Sequence, residues 1–277
     1  MKIAFQGERG AYSEEASLRF FNDQEITPMG FELSEEVVDA LLQKETKYAV
    51  LPVENSIVGN VNVNLDLLYK SEIYAIGEIY LPIHHHLLAI PGSAIGDLKK
   101  VYSHPIALAQ CRDYLNRHKL KPIADYDTAG SCKQLALRAD RSEGAIGSKL
   151  CSETYGLEII ESNVQKLADN ITRFLVLARI DDKPEGLIPT KTSIAFSSGH
   201  HPGALLDCLQ IFKKFGVNLT KLESRPIPEN PFEYIFFVDF LGGLEERDVS
   251  DCIRELRRSA HHLKILGSYS AGDRKPK

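Results

Sequence analysis

The chain reads as an α/β protein in two parts, and three observations predict this. Short apolar strand segments alternate with helical ones from the N-terminus to about residue 180, the pattern of an α/β architecture. The stretch Asp181–Pro189 is polar and marked by Pro184, Gly186 and Pro189, the signature of a linker. Beyond it the order of segments becomes strand, helix, strand, strand, helix, strand, the βαββαβ order of ferredoxin-like domains. The expected organisation is a domain over 1–180, a linker over 181–190 and a second domain over 191–270. The first domain divides into lobes of about 1–76 plus 160–180 and of 77–159, with a cleft between them where a small ligand would bind.

The elements follow in order. Lys2–Gln6 is a strand ending at Gly7, and a helix runs from about Ser13 to Phe21 with Glu14 and Glu15 in its first turn, where the helix dipole favours acid. A second alternation passes from Phe31 into a helix for which Ser34 is the expected N-cap. Tyr48–Val53 is a buried strand, and Val61, Leu65 and Leu68 have helical spacing. Residues 74–90 form a long extended crossover, read as a strand pair between the lobes. Then come a strand at Val101–Ser103, a helix from Pro105, a strand near Pro122–Tyr126, a helix from about Thr128, a strand at Ala145-Ile146, and a helix from Ser148 to Tyr155 stopped by Gly156. Ile171–Ala178 is the returning strand. In the second domain strands are expected at Thr192–Ser197, Val217–Ser224, Glu233–Phe240 and Leu263–Ser268, with helices at Gly203–Phe215 and Glu246–Ala260.

Composition narrows the function. With 43% hydrophobic and 26% charged residues in 277, the chain is ordinary globular protein. Its net charge is −5 and no long Lys/Arg run occurs, which argues against nucleic-acid binding. Residues 190–277 hold 13 basic and 11 acidic side chains, a net of +2, so residues 1–189 carry −7. An anionic ligand there must be held by placed donors. No stretch approaches the 18 or so apolar residues of a membrane span, and the N-terminus lacks the apolar core of a signal peptide. A cytoplasmic protein with no membrane partner is expected, its five cysteines reduced and mostly buried.

Five constellations stand at strand-to-helix or strand-start positions. Gly7-Glu8-Arg9-Gly10-Ala11-Tyr12-Ser13 has neither the glycine spacing of a dinucleotide fingerprint nor the Gly-Lys-Ser/Thr of a phosphate loop. It is either an ordinary joint or a helix start whose N–H groups and Ser13 hydroxyl hold an anion. Glu54, Asn55 and Ser56 follow a buried strand, where open α/β folds bind ligands, although an Asx or Ser turn accounts for them equally. Ser103-His104-Pro105 opens a helix that carries Gln110 two turns on, and a buried Gln needs a partner. Asp127-Thr128 is another helix start, in which either residue could simply cap. Asn170-Ile171-Thr172-Arg173-Phe174 sets a hydroxyl, a guanidinium and an aromatic ring in succession, and Arg173 could clamp a carboxylate or form an edge salt bridge.

The histidines point less clearly. In an alternating strand His84 and His86 would share one face, but no third ligand stands at telling spacing, and His200-His201 and His261-His262 are no stronger. No metal is expected. In the second domain Gly203 opens a helix and Glu223 and Arg225 run off a strand, as a surface ion pair or as partners for the two ends of an amino acid.

Taken together, the glycine turn, PVENSIVGN, SHPIALAQC, DTAGS, GAIGS and NITRF resemble, in this order, the catalytic region of the prephenate dehydratase family, and GALL with NLTKLESRP resembles its ACT regulatory domain. The resemblance covers nearly the whole chain. It implies a two-lobed, periplasmic-binding-protein-like catalytic region that converts prephenate to phenylpyruvate with loss of carbon dioxide and water, without a cofactor. It implies that Thr172 donates to the departing hydroxyl, with Asn55 and Gln110 orienting substrate. Ser13, Ser56, Ser103, Thr128 and Arg173 would hold the carboxylates, and Phe174 would wall the ring. In the second domain, Gly203, Ala204, Leu205, Asn218, Leu219, Glu223, Ser224, Arg225 and Pro226 would bind L-phenylalanine between two subunits, implying feedback inhibition and a homodimer or homotetramer. The family's opening turn has Pro and Thr where Glu8 and Ala11 stand, and its Ser-His-Pro-Gln has Gln where Ile106 stands, so no role follows there. Arogenate dehydratase and a non-catalytic amino-acid or anion sensor are the alternatives.

Overall fold

The structure, a computed structural model, describes residues 1–186, 188–199, 201–227 and 230–274. In chain order the elements are β1 (Lys2–Gln6), α1 (Tyr12–Phe20), β2 (Thr27–Phe31), α2 (Ser34–Leu42), β3 (Tyr48–Asn55), β4 (Gly59–Asn60), α3 (Asn62–Lys70), β5 (Ile73–Pro82), β6 (His86–Ala89), β7 (Lys100–Ser103), α4 (Pro105–Gln110), α5 (Arg112–Arg117), β8 (Lys121–Ala124), α6 (Thr128–Arg138), β9 (Glu143–Gly147), α7 (Lys149–Tyr155), β10 (Glu158–Glu161), β11 (Ile171–Arg179), β12 (Lys191–Ser197), α8 (Ala204–Lys214), β13 (Leu219–Ile227), β14 (Asn230–Leu241), α9 (Arg247–Ser259) and β15 (His262–Tyr269). This is an α/β fold. Two compact units divide the chain: Met1–Val61 with Ile79–Phe174, and Asn62–Glu78 with Leu175–Asp273.

The first unit contains two sheets built on one plan. In one, β1 lies between β2 and β3, parallel to both, and β4 folds back antiparallel on β3. In the other, of order β10-β6-β9-β7-β8, β7 lies parallel between β8 and β9. In each sheet one strand, β1 or β7, has the next two strands it pairs with on opposite sides. That reversal opens a crevice at the carboxyl ends of the strands. The second sheet is covered on both faces: Leu87, Val101 and Ile146 pack in one core, and Leu88 and Ala145 with Ala129 and Leu135 in another. Strand alternation with period two makes this division.

In the second unit the order β12-α8-β13-β14-α9-β15 folds into antiparallel neighbours β13-β14-β12-β15, the ferredoxin-like arrangement. Both helices pack on one face, where Ile194, Phe196, Val238 and Phe240 meet Cys208, Phe212, Cys252 and Leu256.

Three local expectations are corrected. Ser34 is the first helical residue and Leu33 the N-cap, because the Glu36 carboxylate reaches back to accept the Leu33 N–H at 3.1 Å. The helix from Pro105 is two short helices, broken at Cys111 where φ is −100° and ψ 5°. The extended run 74–90 stops at Pro82 and resumes at His86, and its two strands join different sheets, so His84 and His86 do not alternate on one face. His200 lies outside the described residues. All five cysteines are buried and unbridged. Among the described residues no helix is long and apolar enough to cross a membrane.

Candidate active site

The carboxyl ends of the parallel strands of both sheets meet at a cavity of about 510 Å³ in the first unit. One sheet contributes Gln6–Ser13 after β1, Gly30–Glu32 at β2, and Pro52, Asn55 and Val58–Val61 around β3; the other contributes His104, Tyr126–Ala129 and Ser148. Ile83 and His85 come from the break between β5 and β6, Gln110 from the end of α4, and Asn170, Thr172 and Phe174 from the start of β11. The glycine turn is shaped by packing as much as by conformation. Gly10 has φ +87°, and a Cβ there would lie 2.8 Å from the sulfur of Cys151. Its carbonyl accepts from the Ser148 hydroxyl at 2.6 Å, and its N–H donates to the buried Glu14 at 2.6 Å.

Across the cavity floor runs a continuous chain of hydrogen bonds whose direction can be read from one end. The N–H groups of Ile57 and Val58 both donate to Asn55 Oδ1 at 2.9 Å, which fixes the Asn55 amide. Its Nδ2 then donates to Asn170 Oδ1 at 2.7 Å and to Thr172 Oγ1 at 2.9 Å. Asn170 Nδ2 faces Gln110 Oε1 at 3.1 Å, and that oxygen also lies 2.7 Å from His85 Nε2. Beyond the ring, His85 Nδ1 is 2.9 Å from the Tyr12 hydroxyl, which is 2.8 Å from the His84 carbonyl. Thr172 is 9% exposed, Asn170 1% and His85 4%, so no bulk water substitutes for a lost partner. Burial pushes the His85 imidazole down to about 4, against the hydrogen bond to Gln110, with the neighbouring His86 and His84 lowering it further. Burial also raises the Tyr12 phenol, which stays protonated.

Thr172, Asn55, Gln110, Ser13, Thr128 and Phe174 all line the cavity. Three predicted residues do not. Ser103 is fully buried and its hydroxyl donates to the Ile146 carbonyl at 2.9 Å. Ser56 is exposed; its hydroxyl donates to the Asp169 carbonyl at 3.0 Å and accepts from the Ile171 N–H at 2.9 Å, clamping the entry to β11. Arg173 sits between Thr172 and Phe174 on a strand, so alternation turns it to the other face, where it is buried with Nη1 3.6 Å from Glu54. Thr128 begins α6 behind Asp127, whose carboxylate caps the Gly130 N–H at 3.1 Å. Asn170, His85 and Tyr12 are the site residues that the sequence did not single out. Asn170 shares a strand face with Thr172, a signal that period-two spacing carries; nothing in the His84-His85-His86 run marked its middle member. No group of three His, Cys, Asp or Glu side chains among the described residues could hold a metal ion.

In the second unit Gly203 is the N-cap of α8 with φ +89°, Ala204 is buried, and Leu205 packs on the core. Asn218 precedes β13, its carbonyl accepting from the Leu241 N–H, and Leu219 opens that strand. Glu223, Ser224, Arg225 and Pro226 lie towards its far end. Arg225, expected either in a surface ion pair or as a ligand partner, makes a two-pronged pair with Asp66 of α3, at 3.3 and 2.7 Å.

A crevice lined by hydroxyls and amides at two helix starts defines an α/β enzyme acting on a small, polar molecule. A family model for prephenate dehydratase matches residues 3–182. The bifunctional chorismate mutase/prephenate dehydratase of Aquifex aeolicus (strain VF5) is 42% identical over 275 residues, covering 97% of this chain and 73% of that protein. Arogenate dehydratase/prephenate dehydratase 2 of Arabidopsis thaliana, chloroplastic, is 39% identical over 284 residues, covering 97% and 72%. Among solved structures, prephenate dehydratase from Arthrobacter aurescens in complex with L-Phe has a TM-score of 0.88 at 29% identity, covering 100% of this chain and 92% of that one. GqqA, described as a quorum quenching acylase, also has a TM-score of 0.88, at 32% identity and 98% coverage of both chains. The chain belongs to the prephenate dehydratase family and is a hydro-lyase, a decarboxylating dehydratase.

Proposed function

We propose that the chain converts prephenate to phenylpyruvate, water and carbon dioxide in L-phenylalanine biosynthesis, without a cofactor, in the cytoplasm. The observation that carries this reading is the direction of the hydrogen-bond chain. Asn55 donates to the Thr172 oxygen, so the proton of that hydroxyl remains for an acceptor in the cavity. In the elimination, the electron pair of the ring carbon–carboxylate bond moves into the ring as carbon dioxide leaves. At the opposite carbon the C–O bond breaks, and the departing hydroxide takes up one proton from the solvent to become water. Aromatisation drives both cleavages. What the site supplies is a donor at the leaving oxygen and a fixed geometry. A threonine hydroxyl is too weak an acid to transfer its proton outright, so Thr172 acts by hydrogen bonding to the developing hydroxide.

For the carboxylates, the first turns of α1 and α6 present N–H groups near Ser13 and Thr128, and such helix starts favour anions. Phe174 and Ile83 supply the apolar wall. Roles for Ser56, Ser103 and Arg173 are structural on this reading: they hold the strands that carry Thr172 and the second sheet.

The βαββαβ unit is read as an ACT domain that senses L-phenylalanine through Gly203–Leu205, Asn218, Leu219 and Glu223–Pro226. Leu219 and Arg225 stand six residues apart along β13, roughly 20 Å. A single amino acid cannot span that within one chain, which supports a site shared between copies in a homodimer or homotetramer. The L-Phe complex of the Arthrobacter relative supports the choice of effector.

Arogenate is the second reading, favoured by the arogenate dehydratases among the relatives and by Glu32 on the cavity lining, which suits a substrate ammonium. Phenylpyruvate formed from prephenate, followed by ultraviolet absorbance, and phenylalanine formed from arogenate, resolved by chromatography, separate them by kcat/KM. Turnover of prephenate that falls on addition of L-phenylalanine is expected. A chain inert to both substrates would sink the enzymatic reading in favour of a sensor.

A further inference from the structure

Resting on the reading of the cavity as the dehydratase site, we propose that His85, backed by Tyr12, is a positioning residue that locks the Gln110 side chain with its amide nitrogen turned to the cavity. The argument is one of donor and acceptor counts. Gln110 Oε1 accepts from Asn170 Nδ2 at 3.1 Å and lies 2.7 Å from His85 Nε2. A neutral imidazole carries one N–H. With that proton on Nδ1, the bare Nε2 would press against a carbonyl oxygen, and the Gln110 amide would have to turn over. Its nitrogen would then face Asn170 Nδ2, donor against donor. Asn170 cannot turn in response, because its Oδ1 takes the Asn55 amide, which the Ile57 and Val58 N–H groups hold in place.

One tautomer therefore satisfies the line of amides, with the proton on Nε2. The Tyr12 hydroxyl has one proton and two acceptors in reach, His85 Nδ1 at 2.9 Å and the carbonyl of exposed His84 at 2.8 Å; in this tautomer Nδ1 takes the proton and the His84 carbonyl turns to solvent. The chain is anchored at one end by two backbone N–H groups and at the other by Tyr12. Gln110 is left with both amide hydrogens for the cavity. At 4% exposure His85 has no water to replace either partner.

Two near-isosteric substitutions separate positioning from bulk. His85→Gln can bring an amide N–H to the place of ring Nε2; His85→Asn is too short to do so. Turnover of prephenate should fall about 10- to 100-fold in His85→Asn, mainly in kcat, and stay within about threefold in His85→Gln. In a Gln110→Ala background, His85→Asn should cost less than about twofold more, since both changes remove one function. The tautomer is read independently of activity from ¹⁵N-histidine spectra of the intact protein. The His85 resonances, assigned by their loss in His85→Gln, should report Nε2–H in the wild type and a mixture in Tyr12→Phe. Wild-type turnover in His85→Asn, full multiplication of its loss with that of Gln110→Ala, or an Nδ1–H ring in the wild type would each overturn the inference. If His85→Asn does not fold, the spectra of the wild type and Tyr12→Phe decide. If the wild type turns over neither prephenate nor arogenate, the functional reading fails while the tautomer measurement still stands.

Discussion

One buried polar network in each unit is built on an opposite principle. In the first, Tyr12, His85, Gln110, Asn170, Asn55 and Thr172 form a line of neutral groups joined by hydrogen bonds of 2.7 to 3.1 Å. In the second, Lys191 Nζ lies 2.7 Å from Glu78 Oε2 and 3.9 Å from Asp239 Oδ2, with the Lys191 and Glu78 side chains 2% and 1% exposed. Asp239 also accepts from Ser193 at 2.5 Å, and Ser193 lies 2.6 Å from the Tyr269 hydroxyl. Charges attract without regard to which way an amide points, so the ionic cluster provides cohesion. Neutral amides carry a direction that runs end to end. Only the neutral network can aim a proton, and it lines the cavity of the candidate active site.

Breaking the ionic cluster should have the largest effect on stability. Lys191→Met removes the cation 2.7 Å from Glu78 and 3.9 Å from Asp239, and breaking a buried ion pair costs about 3–5 kcal/mol. Denaturant unfolding should show this as a lowered midpoint; a loss under about 1 kcal/mol would mean that charge does not hold the cluster. Introducing charge into the neutral line comes next. The folded state holds the His85 imidazole at about 4 against an ordinary value of 6.5. The unfolded chain therefore binds a proton that the folded one refuses between those values. His85 contributes full stability above about pH 6.5 and loses it as the pH falls towards 4, on the order of 2–3 kcal/mol. His85→Gln should flatten that slope, and equal slopes in both proteins would refute the assignment. The smallest effect belongs to an ion pair in water. Glu8 and Lys133 meet at 2.9 Å but are 33% and 42% exposed, so Glu8→Gln should change stability by less than about 1 kcal/mol and less still at high salt. A larger, salt-insensitive change would place that pair among the buried ones.

Much of this was legible beforehand, for identifiable reasons. Strand and helix periodicity gave the alternation of the first unit and the βαββαβ order of the second, but not the grouping of Asn62–Glu78 with the latter, and the Asn55, Gln110 and Thr172 motifs named residues that the fold does bring to one cavity. Period two already implied that Arg173 and Thr172 face apart, a constraint that motif reading alone passes over. Ser56 and Ser103 carry hydroxyls at strand ends, and spacing does not tell whether a hydroxyl meets a ligand or a backbone carbonyl. His85 was hidden because the chain leaves one sheet for another at residues 83–85, a tertiary event that interrupts the alternation on which its face was judged. Asp66 as the partner of Arg225 joins residues 159 apart, beyond the reach of any local pattern.

The central claim is that the line of amides leaves the Thr172 proton to the substrate. Its most direct test is kcat on prephenate for Thr172→Val, which keeps the shape and loses the hydroxyl, beside Thr172→Ser, which keeps the donor. The account predicts a loss of roughly a hundredfold or more for Val and a loss within about tenfold for Ser. A Val variant turning over near the wild-type rate would contradict it.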